Sequence, residues 1–307
     1  MNTTNNILDR IAAKTRERIS VEMRQIPLSE IRRQAERVLQ DSQKASSTPF
    51  SSNANGTDAS SQPDSRDFSS HGGSFRRALA RPGISFICEV KKASPSKGVI
   101  AEHFPYLDIA REYEAAGAAA ISCLTEPHWF LGSDQYLKEI ASQVSIPVLR
   151  KDFTISPYMI YQAKAYGASA ILLICSILDD AELHDYMQLA DELHLDVLTE
   201  AHSAGEIERA VNAGARIIGV NNRNLKTFEV DVENSRRLRD LAPRDALFVS
   251  ESGIRTAEDI RALYENGTDA VLIGETLMRA DDKRAILNEL THLLPKEPLE
   301  EKNHEQD

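Results

Sequence analysis

Eight short apolar runs alternate with polar segments of helical period, four glycines recur at every second unit, and polar residues gather where the runs end. Together they predict an α/β fold, a (β/α)8 TIM barrel with an N-terminal helical extension. The runs lie at 84–90, 118–124, 146–150, 168–174, 195–199, 215–220, 246–250 and 269–273, with helix-period stretches such as Ile109–Ala116 and Ala257–Glu265 between them. Strands that alternate with helices are parallel and joined by crossovers. Eight such units suit a closed barrel better than an open doubly wound sheet, the competing arrangement. Gly117, Gly167, Gly214 and Gly267 each stand after a helix and before an even-numbered strand, 47 to 53 residues apart. Glycine accepts the left-handed conformation that ends a helix, so the spacing reads as two βα units per repeat.

Taken in order, residues 1–40 form the extension. Ile7, Leu8, Ile11, Ala12 and Ile19 fall on one face of a first helix. Pro27 and Ser29 restart the pattern, and Leu28, Ile31, Ala35 and Leu39 stripe a second helix. Placed before the first strand, these helices are expected to cover an end of the barrel. Residues 41–73 change character: ten of the first thirty are Ser, and almost nothing is left to bury, so a flexible insertion is expected. The Asn55-Gly56-Thr57 match to a glycosylation acceptor is read as chance. Ser74–Leu79 resumes order as a short helix, residues 74–290 carry the barrel, and 291–307 read as a disordered charged tail.

The net charge of −11 argues against nucleic acid or an anionic membrane as the main partner, and no apolar run reaches the length of a membrane span. The N-terminus lacks the form of a signal peptide. Cys88, Cys123 and Cys175, odd in number and set in or beside apolar runs, read as reduced core residues of a cytoplasmic protein. Neither they nor the eight histidines show metal-ligand spacing. The expected partner is a small phosphorylated molecule, with the chain a monomer or weak homodimer.

Chemistry in this fold sits at the carboxyl ends of the strands. Glu89 and Lys91, two residues apart on the first strand, point the same way at the mouth of a buried run. Thr125-Glu126, Lys151-Asp152-Phe153, Cys175-Ser176, Glu200, Asn221-Asn222-Arg223-Asn224, Ser250-Glu251-Ser252-Gly253 and Gly274-Glu275 end the others. The glycines after strands seven and eight suit a phosphate held on backbone N–H groups, with Lys91 reaching across to it. Lys151 on strand three and Glu200 on strand five would face one pocket as an acid and a base for proton transfer at a carbonyl. A Schiff-base role for Lys151 or a plain salt bridge are the alternatives. His202 is expected beside the pocket or on the surface, away from substrate.

The segments Glu89-Val-Lys-Lys-Ala-Ser-Pro-Ser96, Leu149-Arg-Lys-Asp-Phe153, Thr199-Glu200, Gly219-Val-Asn-Asn-Arg-Asn-Leu225, Ser250-Glu-Ser-Gly-Ile254 and Leu272-Ile-Gly-Glu-Thr-Leu-Met278 resemble those of indole-3-glycerol-phosphate synthase. The likeness runs from about residue 5 to 290, and residues 41–73 depart from it. It implies a carboxy-lyase of tryptophan biosynthesis acting on 1-(2-carboxyphenylamino)-1-deoxyribulose 5-phosphate, with no metal or organic cofactor. By the same resemblance Lys151 is the general acid and Glu200 the base, supported by Glu89 and Lys91. Asn221 and Ser252 would hold polar groups, Arg223 the anthranilate carboxylate, and Phe130 and Phe153 the aromatic ring. Ser94, Ser96 and Leu225 complete the substrate contacts, and Gly253, Gly274 and the Glu275 backbone hold the phosphate. If burial or cationic neighbours lower the Lys151 pKa, the acid works near neutral pH.

Overall fold

The computed structural model describes residues 7–47, 73–224 and 228–295. Eight parallel strands close into a barrel: β1 (Ser85–Val90), β2 (Ala120–Leu124), β3 (Val148–Lys151), β4 (Ala170–Ile174), β5 (Asp196–Ala201), β6 (Ile217–Asn221), β7 (Leu247–Glu251) and β8 (Ala270–Ile273). Each overlaps one predicted run. β1 pairs with both β2 and β8, which shuts the barrel. Gly117, Gly167, Gly214 and Gly267 all have φ between 79° and 96°, in the left-handed region that favours glycine.

The helices follow the expected periods. α1 (Ile7–Gln25), α2 (Leu28–Ser47) and α3 (Ser74–Leu79) precede the barrel. Around it lie α4 (Tyr106–Ala115), α5 (Asp134–Gln143), α6 (Pro157–Ala165), α7 (Asp180–Glu192), α8 (Ala204–Asn212), α9 (Glu233–Leu238), α10 (Ala257–Glu265), α11 (Glu275–Arg279) and α12 (Lys283–Thr291). Short polar residues set where they begin. Ser133, Ser156, Ser203 and Asp282 accept backbone N–H bonds of the first turn, and Asp179 and Thr256 form reciprocal capping boxes with Glu182 and Asp259.

One boundary differs from the sequence reading. α2 runs to Ser47, beyond the expected limit at 40, because Asp41 to Ser47 contain no Gly or Pro to stop it. Within α2, Ile31 and Ala35 are buried, but Leu28 at its first turn is exposed. The remainder of the Ser-rich insertion, 48–72, lies outside the described residues, as do most of the expected tail (296–307) and Leu225. A small antiparallel hairpin, Ala93–Ser94 with Gly98–Val99, follows β1, and no apolar run in the sequence marks it.

Side chains alternate across each strand, so every second residue points into the barrel. Ile87, Leu149, Leu198 and Val249, from the four odd-numbered strands, sit in one interior cluster. Two residues further along those same strands come Glu89, Lys151, Glu200 and Glu251. The barrel's apolar filling thus ends in a charged layer of four at its carboxyl end, with the layer drawn from alternate strands. At the opposite end α3 closes the barrel, where Asp196 at the start of β5 accepts the Gly73 and Arg76 backbone N–H groups at 3.1 and 2.9 Å.

Candidate active site

A cavity of about 430 Å³ opens above the charged layer, and α1 forms part of its wall through Ile7, Leu8 and Ile11. Of the extension, α1 covers a barrel end, the one that carries the chemistry, while α2 packs along α6. Glu89, Lys91, Ser94, Ser96, Phe130 and Phe153 line this cavity. So do Lys151, Glu200, Asn221, Arg223, Ser252, Gly253, Gly274 and Glu275. Leu225 alone of the site residues expected from sequence falls outside the described chain.

Lys151 is the hub. Its Nζ lies 3.4 Å from Glu200 Oε2 and 3.6 Å from Glu251 Oε2. Burial works to discharge the ammonium, but Glu200, Glu251 and Glu89 more than offset it, so the Lys151 pKa is raised above the usual lysine range. This corrects the expectation of a lowered value: the neighbours are anionic rather than cationic. Glu251 bears the opposite consequence. Burial, opposed by Lys151 and reinforced by Glu200 and Glu89, pushes its carboxyl up to about 7. Glu251 Oε1 has no hydrogen-bond partner among the described residues, and a Cβ on Gly219 would collide with it. Gly219 is the space into which this carboxylate fits.

Lys91 hydrogen-bonds Glu89 Oε1 directly. A Cβ on Gly274 would collide with Glu89 Oε1 and stand 2.7 Å from Lys91 Nζ, so glycine at the end of β8 makes room for that pair. Ser252 and Gly253 after β7 both have positive φ, 69° and 83°. A Cβ on Gly253 would also collide with Val230 Cγ1 of the neighbouring loop after β6, so glycine there serves both its own conformation and the packing of the two loops. Arg255 and Arg279 join Arg223 and Lys91 on the cavity wall, where these cations outnumber Glu275, which accepts from Arg279 Nε at 3.2 Å.

The aromatic side is held by two buried carboxylates, Glu126 and Asp152. Glu126 accepts the backbone N–H groups of His128, Trp129 and Phe130 at 2.9, 2.7 and 3.1 Å, which fixes Phe130. Phe130 and Phe153 have ring centroids 6.1 Å apart. Asp152, between Lys151 and Phe153, turns toward α1. Both its oxygens lie 2.9 Å from Arg18 Nη2, and Thr125 Oγ1 donates to it at 2.6 Å. Lys97 in the hairpin approaches Glu275 Oε1 at 3.8 Å, which links the β1 loop to α11.

Two of these residues escaped the sequence reading. Glu251 was noted only as a polar strand end, yet counting by twos from Val249 places it in the same layer as Glu89 and Glu200. Arg18 carries no local signal, since its partner is 134 residues away in the chain.

The family model described as indole-3-glycerol phosphate synthase matches residues 31–290. The indole-3-glycerol phosphate synthase of Ruminiclostridium cellulolyticum is 52% identical over 284 residues, covering 92% of this chain and 98% of its own. That of Lachnoclostridium phytofermentans is 48% identical over 288 residues, covering 94% and 100%. Among solved structures, 3-hexulose-6-phosphate synthase from Salmonella typhimurium superposes with a TM-score of 0.56 at 13% identity, over 68% of this chain and 97% of that one, a likeness of fold alone. The chain belongs to the indole-3-glycerol phosphate synthase family, whose members are carboxy-lyases.

Proposed function

We propose that the chain converts 1-(2-carboxyphenylamino)-1-deoxyribulose 5-phosphate to indole-3-glycerol phosphate, CO2 and water. The observation that carries this reading is the approach of Lys151 to Glu200, 3.4 Å, on the floor of a cavity with paired aromatic rings and a basic upper wall. The substrate ring lies against Phe130 and Phe153, its carboxylate meets Arg223, and its phosphate reaches the loops after β7 and β8. Asn221, Ser252, Ser94 and Ser96 face its hydroxyls.

Ring closure joins the aryl carbon that bears the carboxylate to the ketone carbon. Attack through an aryl carbon breaks aromaticity, so the carbonyl needs a positioned acid, and Lys151 gives the ketone oxygen its proton. CO2 then leaves, and its bonding electrons restore the ring. Finally the new hydroxyl departs as water with a second proton, while Glu200 takes a proton from the neighbouring carbon. Two protons are given and one is taken, so each turnover consumes one proton, the counterpart of a carboxylate lost as neutral CO2. Glu89 and Glu251 favour the charged form of Lys151, so it enters each cycle as an ammonium, and Lys91 shares the binding of substrate anions. Schiff-base chemistry would need a neutral amine, which the three carboxylates oppose. Borohydride trapping with substrate present separates the two mechanisms, because only an imine becomes fixed. The three buried free cysteines support a cytoplasmic setting.

The direct test is fluorescence of indole-3-glycerol phosphate formed from the purified protein and the carboxyphenylamino substrate. Absence of product at micromolar enzyme would end this reading.

A further inference from the structure

The proton consumed in each turnover must reach a floor that the bound substrate covers. A second cavity of about 750 Å³ lies beside the first, behind β5 and β6, and the two share Leu8 and Asn221 in their walls. One side chain stands between the second cavity and the base. His202, just past β5, has Nε2 3.6 Å from Glu200 Oε1 and Nδ1 3.4 Å from Glu206 Oε2 on α8. Glu206 is itself held by the His202 backbone N–H at 2.7 Å, and both residues line the second cavity. Glu200 is almost fully buried, and its two oxygens are divided: Oε2 faces Lys151 and Oε1 faces His202. His202 Nε2 has no hydrogen-bond partner among the described residues, so it is not committed to a structural bond.

We propose that His202 is a proton relay, acting through Glu200 and touching no substrate, that resupplies the floor from the second cavity. This rests on the functional reading given above. A proton enters from water in that cavity by way of Glu206 to Nδ1, and the Nε2 proton passes to Glu200 Oε1. A half-turn of the protonated Glu200 carboxyl then presents that proton to Lys151, left neutral by protonating the ketone. The imidazole resets by tautomer exchange, Nδ1 returning its proton through Glu206 while side-chain motion lets Nε2 take one from water of the second cavity. The balance closes: Lys151 gives two protons per cycle and recovers two through Glu200, one from the substrate carbon and one from His202. A separation of 3.6 Å is longer than a hydrogen bond, and such contacts tighten once substrate is in place.

The surroundings favour a charged imidazole. Burial acts against the charge, but Glu206, Glu200 and, at longer range, Glu251 raise the His202 pKa above its usual value. Arg209 on α8, the nearest cation on that helix, is occupied by Asp180 and by the Cys175 and Leu178 carbonyls. Across the cavity, Asp231 and Arg237 pair with each other at 2.8 Å, while Asp9 and Glu229 complete the acidic wall. Asn234 donates to the His202 carbonyl at 3.4 Å, which fixes the backbone without engaging the ring.

The test compares wild type with His202→Gln and Glu206→Gln in steady-state assays from pH 5.5 to 9, with and without added imidazole. His202→Gln is expected to lower kcat at neutral pH about tenfold or more, to leave KM within about twofold, and to regain activity with imidazole. Glu206→Gln should move the alkaline limb of kcat to lower pH by about one unit, because the imidazole loses a partner that keeps it charged. Should His202→Gln fail to fold, the limb shift in Glu206→Gln decides. A kcat within twofold of wild type at every pH overturns the relay, as does a loss that imidazole does not restore, which is what a structural role would give. If wild type itself forms no product, the functional reading falls and the relay with it; an active wild type matched by His202→Gln removes the relay alone.

Discussion

Replacing Glu251 with Gln should stabilise the protein at alkaline pH while impairing it as a catalyst. Glu251 is buried beside two other carboxylates, and its pKa stands at about 7 against an ordinary value of 4.5. Between those two values the folded chain keeps a proton that the unfolded chain has released. Wild-type stability therefore falls as pH rises through that window, and the loss is complete above about 7. A difference of about 2.5 units at 1.36 kcal/mol each is about 3 kcal/mol. Gln is neutral and nearly isosteric with the protonated acid, so the variant avoids this cost. Urea denaturation at pH 5 and pH 8 reads the effect as the difference between variant and wild type. That difference should be small at pH 5 and approach about 3 kcal/mol in favour of the variant at pH 8. Other titrating groups are common to both proteins and cancel, apart from those in contact with the site. A variant that is equally or less stable at pH 8 would refute the reasoning, since it would mean that attraction to Lys151 outweighs burial and carboxylate repulsion. Activity should move the other way, because one fewer carboxylate holds Lys151 charged.

Three further outcomes follow from the same geometry. Lys151→Ala should lower kcat by about 10² to 10⁴ with a smaller change in KM, whereas Lys91→Ala should chiefly raise KM; near-normal kcat for Lys151→Ala would exchange their roles. Gly274→Ala places a methyl against Glu89 and Lys91. Both are flexible side-chain ends, so the melting temperature should change little while kcat/KM falls about tenfold or more, measured by calorimetry and product fluorescence. Replacing residues 48–72 with a short Gly/Ser linker should leave turnover within a few-fold of wild type, because α2 packs along α6 and α3 sits at the strands' amino ends, away from the cavity.

The barrel was legible because its signals are periodic and local: eight apolar runs, and four glycines whose left-handed conformation the structure bears out. The residues lining the cavity were legible because strand ends are where a closed parallel barrel must place its chemistry. What escaped was set by long-range contact. Nothing near Arg18 announces a partner in Asp152, and the lysine's raised pKa depends on three carboxylates drawn from β1, β5 and β7. Gly274 read as a phosphate glycine and Gly219 only as part of a matching segment, but each also clears space for a carboxylate on the neighbouring odd strand. Ser47 marks the converse case, since helix propensity carried α2 into a segment whose composition spoke for disorder.

Why a site proposed to take a doubly anionic substrate should place three carboxylates on its floor is answered by the barrel's own layers. Glu89, Glu200 and Glu251 end the odd strands and converge on the axis, below the level at which loops begin. Lys91, Arg223, Arg255 and Arg279 follow strand ends and stand around the wall above. In the proposed complex the substrate's fixed anions meet the upper ring, so the acidic floor does not repel them at contact. In the proposed ring closure the attacking ring becomes positively charged at its nitrogen as the ketone oxygen gains a proton from Lys151. A floor that favours positive charge stabilises that state more than the neutral ring it came from. The same field that keeps Lys151 an ammonium also opposes its loss of a proton, so the acid works only if its proton is promptly replaced. Glu200, in contact with Lys151 on one oxygen and close to His202 on the other, is the group placed to do so.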